Sequence, residues 1–158
     1  MIYMDNASTT LVDKEAFDIA KKYLFKNYAN PSSSYSMAND VKADMEDARE
    51  MIADILGARY NEIYFTSGGS EANNWAILKA CELMENKGKH IISSKIEHHS
   101  VLHTLSYLEK KGYEVTYLNT DEKGIIDINE LKNAIRDDTV LISIIFANNE
   151  IGTIQPVK

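Results

Sequence analysis

The feature that most restricts the fold of this 158-residue chain is the alternation of strand-like and helix-like segments in its second half. Short apolar segments predict four strands, at residues 62–65, 90–93, 114–118 and 139–146. The last of these is nearly all apolar, which is typical of a strand buried on both faces. Repeated strand–helix units indicate an α/β fold with a mostly parallel sheet covered by helices.

Three helices are predicted between these strands, at residues 70–85, 99–111 and 127–135. In the third, Asp127 and Glu130 have the spacing of a capping box. Ligands of such sheets bind beyond the carboxyl ends of the strands, so the loops that follow the strands are the first places to seek a site.

The first half predicts two helices and a loop. Asp13 can cap a helix that has an apolar face formed by Ala16, Phe17, Ala20 and Leu24. A loop follows around Pro31, which keeps the preceding residue out of the helical region. The second helix is expected to end at Gly57 and to bury a stripe made of Ala38, Val41, Met45, Ala48, Ile52 and Leu56.

Composition excludes several classes of protein. The formal net charge is −7 and no dense Lys/Arg stretch is present, which argues against a nucleic-acid binder. No apolar run approaches the roughly 18 residues of a membrane helix, and the first residues lack the zones of a signal peptide. The single cysteine, Cys81, permits no intrachain disulfide, and its place in mid-helix favours a packing role. We therefore expect a cytoplasmic protein.

The loop after the first predicted strand contains Gly68, Gly69 and Ser70 and leads directly into a helix. The free N–H groups of a first helical turn attract anions, two glycines allow a phosphate to approach the backbone, and a serine hydroxyl can add a hydrogen bond. A tight turn with Ser70 as an ordinary N-cap explains the same residues. Both interpretations stay open on spacing alone.

The loop after the second predicted strand is rich in histidine. His98 could stack on a flat ring or move a proton, whereas a surface histidine that caps a helix is the plainer alternative. His99 and His103 are four residues apart, as in some zinc sites, but no third ligand is evident and no metal site is predicted.

The loop after the last predicted strand places Asn148, Asn149 and Glu150 beyond a buried apolar run. Polar side chains at such a position are candidate ligand contacts. A turn stabilised by bonds between asparagine side chains and the backbone is an equal alternative.

Five stretches of this chain, in this order, resemble the class V aminotransferase family, and more narrowly its cysteine desulfurases of the NifS/IscS kind. These stretches are YMDNASTT at residues 3–10, NPSS at 30–33, FTSGGSEAN at 65–73, SKIEH at 94–98 and NNEIG at 148–152. The resemblance implies the large domain of a fold type I transferase that depends on pyridoxal 5′-phosphate (PLP). Residues 1–15 would join the small domain, and residues 16–158 would form the N-terminal part of the PLP-binding domain.

The resemblance also assigns roles to individual residues. Gly69 and Ser70 would hold the PLP phosphate. His98 would stack on the pyridine ring as a catalytic residue that assists proton transfer, and Asn149 would bond to the ring's phenolic oxygen. The family's Schiff-base lysine and persulfide-forming cysteine have no counterpart among these 158 residues. The chain also stops where a further helix is expected, so we expect the N-terminal part of an enzyme that is inactive at this length.

The implied reaction converts L-cysteine to L-alanine and passes the sulfur, as an enzyme persulfide, to an acceptor or scaffold protein for iron–sulfur or thio-cofactor assembly. The implied assembly is a homodimer. Another class V aminotransferase or lyase, or a truncated remnant that acts only by binding, would share the same stretches.

Overall fold

The computed structural model describes residues 2–156, and the chain divides after Phe65 into two compact units. The first unit contains α1 (Lys14–Phe25), α2 (Ser36–Leu56) and a 3-10 turn (Tyr60–Glu62). As predicted, the Asp13 side chain caps α1 by accepting a hydrogen bond from the N–H of Ala16, at 2.9 Å. Gly57 ends α2 with a left-handed backbone (φ 64°), which glycine adopts without steric cost.

The apolar face predicted for α1 is exposed, and the stripe predicted to be buried on α2 is only partly covered. No residue of α1 is buried, and α2 buries only Ala38 and Ala53, whereas Leu56 is 68% exposed. The bonds between the helices are polar, because Asp44 accepts hydrogen bonds from Lys22 and from the Tyr23 hydroxyl. Four of the six predicted stripe residues of α2 are buried or half-buried, so the apolar pattern predicted where both helices form and part of the covered face of α2.

The strand predicted at residues 62–65 is absent. Glu62 closes the 3-10 turn, and the N–H of Ile63 donates to the Tyr60 carbonyl at 3.3 Å. The Ile63 carbonyl accepts a hydrogen bond from the guanidinium of Arg49, which also lies 4.8 Å from the centre of the Phe65 ring. Backbone groups that are paired in this way are not available for a sheet ladder.

The second unit alternates helix and strand as predicted. Its elements are α3 (Gly69–Leu83), β1 (His90–Ser94), α4 (His99–Lys110), β2 (Glu114–Leu118), α5 (Ile128–Ala134) and β3 (Thr139–Ser143). The three strands form a parallel sheet in the order β2–β1–β3. Among residues 2–156, no helix combines the length and the apolar character needed to cross a membrane.

The core of the second unit lies on both faces of β1, because successive side chains of a strand point in opposite directions. Ile91 packs against α3 and α4, where it meets Ile77, Cys81, Val101, Leu105 and Leu108. Ile92 packs on the other face with Leu118 and Ile126, and Leu131 of α5 covers them. Both isoleucines are completely buried, which fixes the central strand and the direction of the loop that follows it.

Two details of the second unit differ from the predictions. β3 ends at Ser143 instead of Phe146 and is only partly buried, since Ile142 is 43% exposed. Asp127 caps α5 by accepting from the N–H of Asn129, but Glu130 does not complete a capping box. The Glu130 carboxylate instead accepts hydrogen bonds from the backbone and side chain of Asn119.

Candidate functional site

A cleft of about 270 Å³ lies beyond the carboxyl ends of β1 and β3. It is lined by residues 95–99, which follow β1, by residues 148–151, which follow β3, and by Leu102. This cleft, called the His98 cleft below, contains two of the four predicted site residues, His98 and Asn149. Its position agrees with the rule that ligands of parallel sheets bind beyond the strand ends.

His98 is the N-cap of α4. Its Nδ1 atom accepts a hydrogen bond from the N–H of Ser100 at 3.1 Å and lies 2.8 Å from the Ser100 hydroxyl. One ring nitrogen, Nδ1, therefore caps the helix, as the plainer alternative predicted. Because His98 also lines the cleft, capping and ligand binding are compatible.

Glu97 is a buried carboxylate that sequence reasoning did not identify as a site residue. It is 7% exposed, and its Oε1 accepts hydrogen bonds from the Ser94 hydroxyl at 2.8 Å and from the N–H of Ile145 at 2.6 Å. Burial raises the pKa of Glu97, and the bonds from Ile145 and Ser94 oppose that rise. Glu97 thus joins the segment after β3 to the residue that precedes His98.

Asn148 builds the loop that presents Asn149. Its Oδ1 accepts hydrogen bonds from the N–H groups of Glu150 and Ile151, and its Nδ2 donates to the Ile96 carbonyl at 2.8 Å. The alternative of an asparagine-stabilised turn is correct for Asn148. Asn149 itself is exposed and lines the His98 cleft.

Gly69 and Ser70 form the first residues of α3, outside the residues that line the His98 cleft. In the described part of the chain, no side chain caps the start of this helix. A Cβ placed on Gly68 or Gly69 would meet no atom within 4 Å, so the space over this turn is open. The Glu71 carboxylate accepts hydrogen bonds from the N–H and hydroxyl of Ser67, which lower its pKa and fix the turn.

Hydrogen bonds join the start of α3 to the start of α4. Asn73 Nδ2 donates to the Ser100 hydroxyl at 3.0 Å, and Asn74 Nδ2 donates to the Ser100 carbonyl at 3.4 Å. Asn74 Oδ1 accepts from the Thr104 hydroxyl at 2.7 Å. The two predicted parts of the site therefore belong to helices that are joined by hydrogen bonds within their first two turns.

His99, His103 and Cys81 lie outside any group of potential metal ligands in the described part of the chain. The rings of His99 and His103 lie 5.6 Å apart, and within residues 2–156 no group of three potential metal ligands occurs. Cys81 is buried in the core, and burial raises the pKa of its thiol. A thiol in that position is not accessible as a nucleophile.

Comparison with known proteins identifies the family. Residues 2–158 match the family described as "Aminotransferase class-V". The chain belongs to the class V aminotransferase family. Enzymes of this family generally depend on PLP. In this class V chain the His98 cleft lies beyond the carboxyl ends of the strands, where parallel sheets bind ligands.

The relatives of this class V chain include cysteine desulfurases. A protein of Methanosarcina thermophila named cysteine desulfurase IscS is 56% identical over 157 residues, which is 99% of this chain and 39% of that protein. A solved "NIFS-like protein" has a TM-score of 0.94 at 40% identity, over 98% of this chain and 43% of its own. The structure titled "SspA in complex with cysteine" has a TM-score of 0.90 at 44% identity, over 98% of this chain and 44% of its own. The chain thus spans about two fifths of the relatives that it matches.

Proposed function

We propose that this chain forms part of a PLP-dependent cysteine desulfurase and supplies the seat of the PLP phosphate and one partner of the PLP ring. The observation that carries this proposal is the 56% identity to a cysteine desulfurase along 99% of the chain. The proposed reaction transfers the sulfur of L-cysteine to an enzyme thiol, which becomes a persulfide, and releases L-alanine.

The start of α3 fits a phosphate. Its first-turn N–H groups carry the positive end of the helix dipole, and no side chain within the described residues caps them. The open space over Gly68 and Gly69 leaves room for phosphate oxygens to approach the backbone. In this proposal the N–H groups of Gly69 and Ser70 and the Ser70 hydroxyl hold the phosphate.

The His98 cleft fits a flat polar ring. His98 would stack on the ring and assist proton transfer, and the Asn149 side chain would donate a hydrogen bond to the ring's phenolic oxygen. The two residues follow different strands but line the same cleft, which supports this division of roles. When bound, PLP supplies an electron sink for bonds broken at the substrate's α-carbon.

Other groups of the reaction would come from elsewhere in the complete enzyme. We propose that the lysine that binds PLP and the cysteine that takes up sulfur lie outside these 158 residues, since Cys81 is 1% exposed in the core. We also propose that residues 1–15 join the small domain and that residues 16–158 form part of the large domain. The expected assembly is a cytoplasmic homodimer that delivers sulfur to an acceptor or scaffold protein.

The test is an assay of the purified full-length protein with PLP and a thiol reductant. We expect L-alanine and sulfide to form from L-cysteine in equal amounts. Amino transfer from other amino acids to a 2-oxo acid, without sulfide release, would contradict the proposal and indicate a class V aminotransferase. His103→Ala serves as the control variant, because His103 is exposed on α4.

A separate test concerns the proposal that the lysine and the thiol lie outside residues 1–158. Residues 1–158 expressed alone are expected to release no L-alanine from L-cysteine, because the proposed lysine and thiol are absent. Detection of L-alanine from this purified 158-residue chain, confirmed by intact mass, would contradict that part of the proposal.

A further inference from the structure

Ser100 lies between two polar side chains, and this arrangement has no counterpart among the predicted site residues. We infer that Ser100 and Asn73 are positioning residues that hold the His98 ring in one tautomer, with its proton on Nε2. The inference depends on the proposed function only for its relevance to PLP, because the tautomer is a property of the chain's own residues.

The backbone N–H of Ser100 is the first group that favours one tautomer of His98. The N–H of Ser100 can only donate, and it points at Nδ1 of His98 at 3.1 Å. This one bond favours the tautomer in which Nδ1 presents a lone pair and the proton of the neutral ring resides on Nε2, and a second donor to Nδ1 is needed to make that tautomer dominant. Nε2 is consequently the nitrogen that remains to donate to a ligand in the His98 cleft.

The side chains reinforce this choice. Asn73 Nδ2 donates to the Ser100 hydroxyl at 3.0 Å, so the hydroxyl oxygen acts as an acceptor toward α3. The proton of the hydroxyl is then free to point at Nδ1, which is 2.8 Å away. The ring receives hydrogen bonds on one nitrogen from both the backbone and the side chain of Ser100, and Asn73 sets the direction of the second.

The same network links the two halves of the proposed site. Asn73 is one turn beyond Gly69 on α3, and His98 begins α4. A second tie runs from Asn74 to the Thr104 hydroxyl and to the Ser100 carbonyl. The orientation of His98 is therefore set relative to the helix that carries the proposed phosphate seat.

Two variants break the network without removing bulk. Ser100→Ala deletes the hydroxyl donor. Asn73→Asp keeps the shape of Asn73 but offers only acceptors, so the Ser100 hydroxyl would donate to the carboxylate and turn away from Nδ1. Ser100→Thr keeps the hydroxyl and should restore the wild-type state. Ser106→Ala removes a half-buried hydroxyl farther along α4 and is the matched control.

The experiment is ¹⁵N NMR of the full-length protein labelled at histidine, without PLP, at alkaline pH where the rings are neutral. The His98 signals are assigned by their loss in His98→Gln. We expect wild type, Ser100→Thr and Ser106→Ala to show an unprotonated Nδ1 and a protonated Nε2. Ser100→Ala and Asn73→Asp should show a Nδ1 resonance that moves toward the protonated position, as in a mixture of tautomers.

A protonated Nδ1 in the wild-type protein would overturn the inference. So would wild-type spectra from both Ser100→Ala and Asn73→Asp. Neither outcome affects the proposed desulfurase activity, because the measurement uses no PLP and no substrate, and the activity assay fails or succeeds independently.

Discussion

The two ends of the parallel sheet carry polar side chains of similar kinds but arrange them differently. At the amino end, His90 is completely buried, and both ring nitrogens form hydrogen bonds, with the hydroxyls of Thr139 and Thr116 at 2.7 and 2.9 Å. At the carboxyl end, His98 uses Nδ1 within the protein and lines an open cleft. One histidine joins three strands, and the other leaves a ring edge for a ligand.

The charged groups repeat this contrast. At the amino end, the Arg136 guanidinium binds the carboxylates of Glu114 and Asp138, which lowers the pKa of both carboxyls. At the carboxyl end, Glu97 is buried without a cationic partner among its bonded groups and has a raised pKa. At the amino end, the charged groups pair with one another, which is typical of a structural role. At the carboxyl end, the polar groups are hydrogen-bonded to the backbone and lie beside an open cleft, which is typical of a binding site.

The largest effect is expected from His90→Ala at the amino end. The substitution leaves a cavity at a completely buried position and removes a partner from each of two half-buried hydroxyls, so the free energy of unfolding should fall by about 3 kcal/mol. The exposed His103→Ala should change it by less than about 0.5 kcal/mol. Chemical denaturation measures both free energies. Equal effects of the two variants would contradict the structural role of His90.

A matched pair of glycines provides the second prediction. A Cβ on Gly88, just before β1, would collide with the backbone oxygen of Asp138, so Gly88→Ala should destabilise the protein by about 2 kcal/mol. Gly69→Ala meets open space and should leave stability unchanged or slightly higher. It should instead weaken PLP binding, because the methyl group occupies the proposed phosphate seat. Denaturation and equilibrium dialysis of both variants distinguish these outcomes.

Glu97 supplies the third prediction. Glu97→Ala leaves the N–H of Ile145 without its partner and should cost about 1–2 kcal/mol of stability. Glu97→Gln retains an acceptor oxygen and avoids a buried charge, so it should be close to wild type at neutral pH. If the two variants unfold at the same denaturant concentration, the hydrogen bond to Ile145 is not what Glu97 contributes.

The smallest effect is a pH dependence. Burial, and then the nearby charge of Arg136, lower the pKa of His90 in the folded state. The unfolded chain therefore binds more protons than the folded protein below about pH 6.5, so the His90 contribution is complete above that pH and is lost as the pH falls. The difference in unfolding free energy between wild type and His90→Gln isolates this contribution from that of Glu97. A difference that does not change between pH 7.5 and about 5.5 would contradict it.

Much of the second unit could be predicted from local pattern. The segments around Ile91, Val101 and Leu118 have periods that match a central strand, an amphipathic helix and a second strand, and these elements formed with nearly the predicted bounds. The three strands also form one parallel sheet, as the repeated strand–helix units predicted. In the second unit, the elements whose apolar side chains meet in the core around Ile91 were placed with nearly their observed bounds.

The failures involve partners that are distant in sequence. Residues 62–65 have a strand-like composition, but Arg49 takes the Ile63 carbonyl. Glu130 has the spacing of a capping box, but Asn119 takes its carboxylate. The bond between Glu97 and the N–H of Ile145 joins residues 48 positions apart. Competition for hydrogen bonds between remote residues leaves no periodic signal in a sequence.

The sequence predicted the residues that would contact a ligand but not all of the residues that hold them in place. Gly69, Ser70, His98 and Asn149 were identified from loops and from the family resemblance, and His98 and Asn149 do line one cleft. The supporting roles of Ser100 and Glu97 were not identified, although each holds a segment that carries the predicted residues, whereas the turn role of Asn148 was one of two open alternatives. The signal available in the sequence was their position directly beside His98 and Asn149.

The most direct test of the account is the PLP affinity of the His98→Ala variant of the full-length protein, measured by equilibrium dialysis beside wild type and His103→Ala. The account predicts that loss of the ring contact weakens PLP binding about tenfold, while loss of the N-cap of α4 lowers the free energy of unfolding by only about 1 kcal/mol. His103→Ala should bind PLP as wild type does. Equal PLP affinity of His98→Ala and wild type would contradict the assignment of the His98 cleft as the site of the PLP ring.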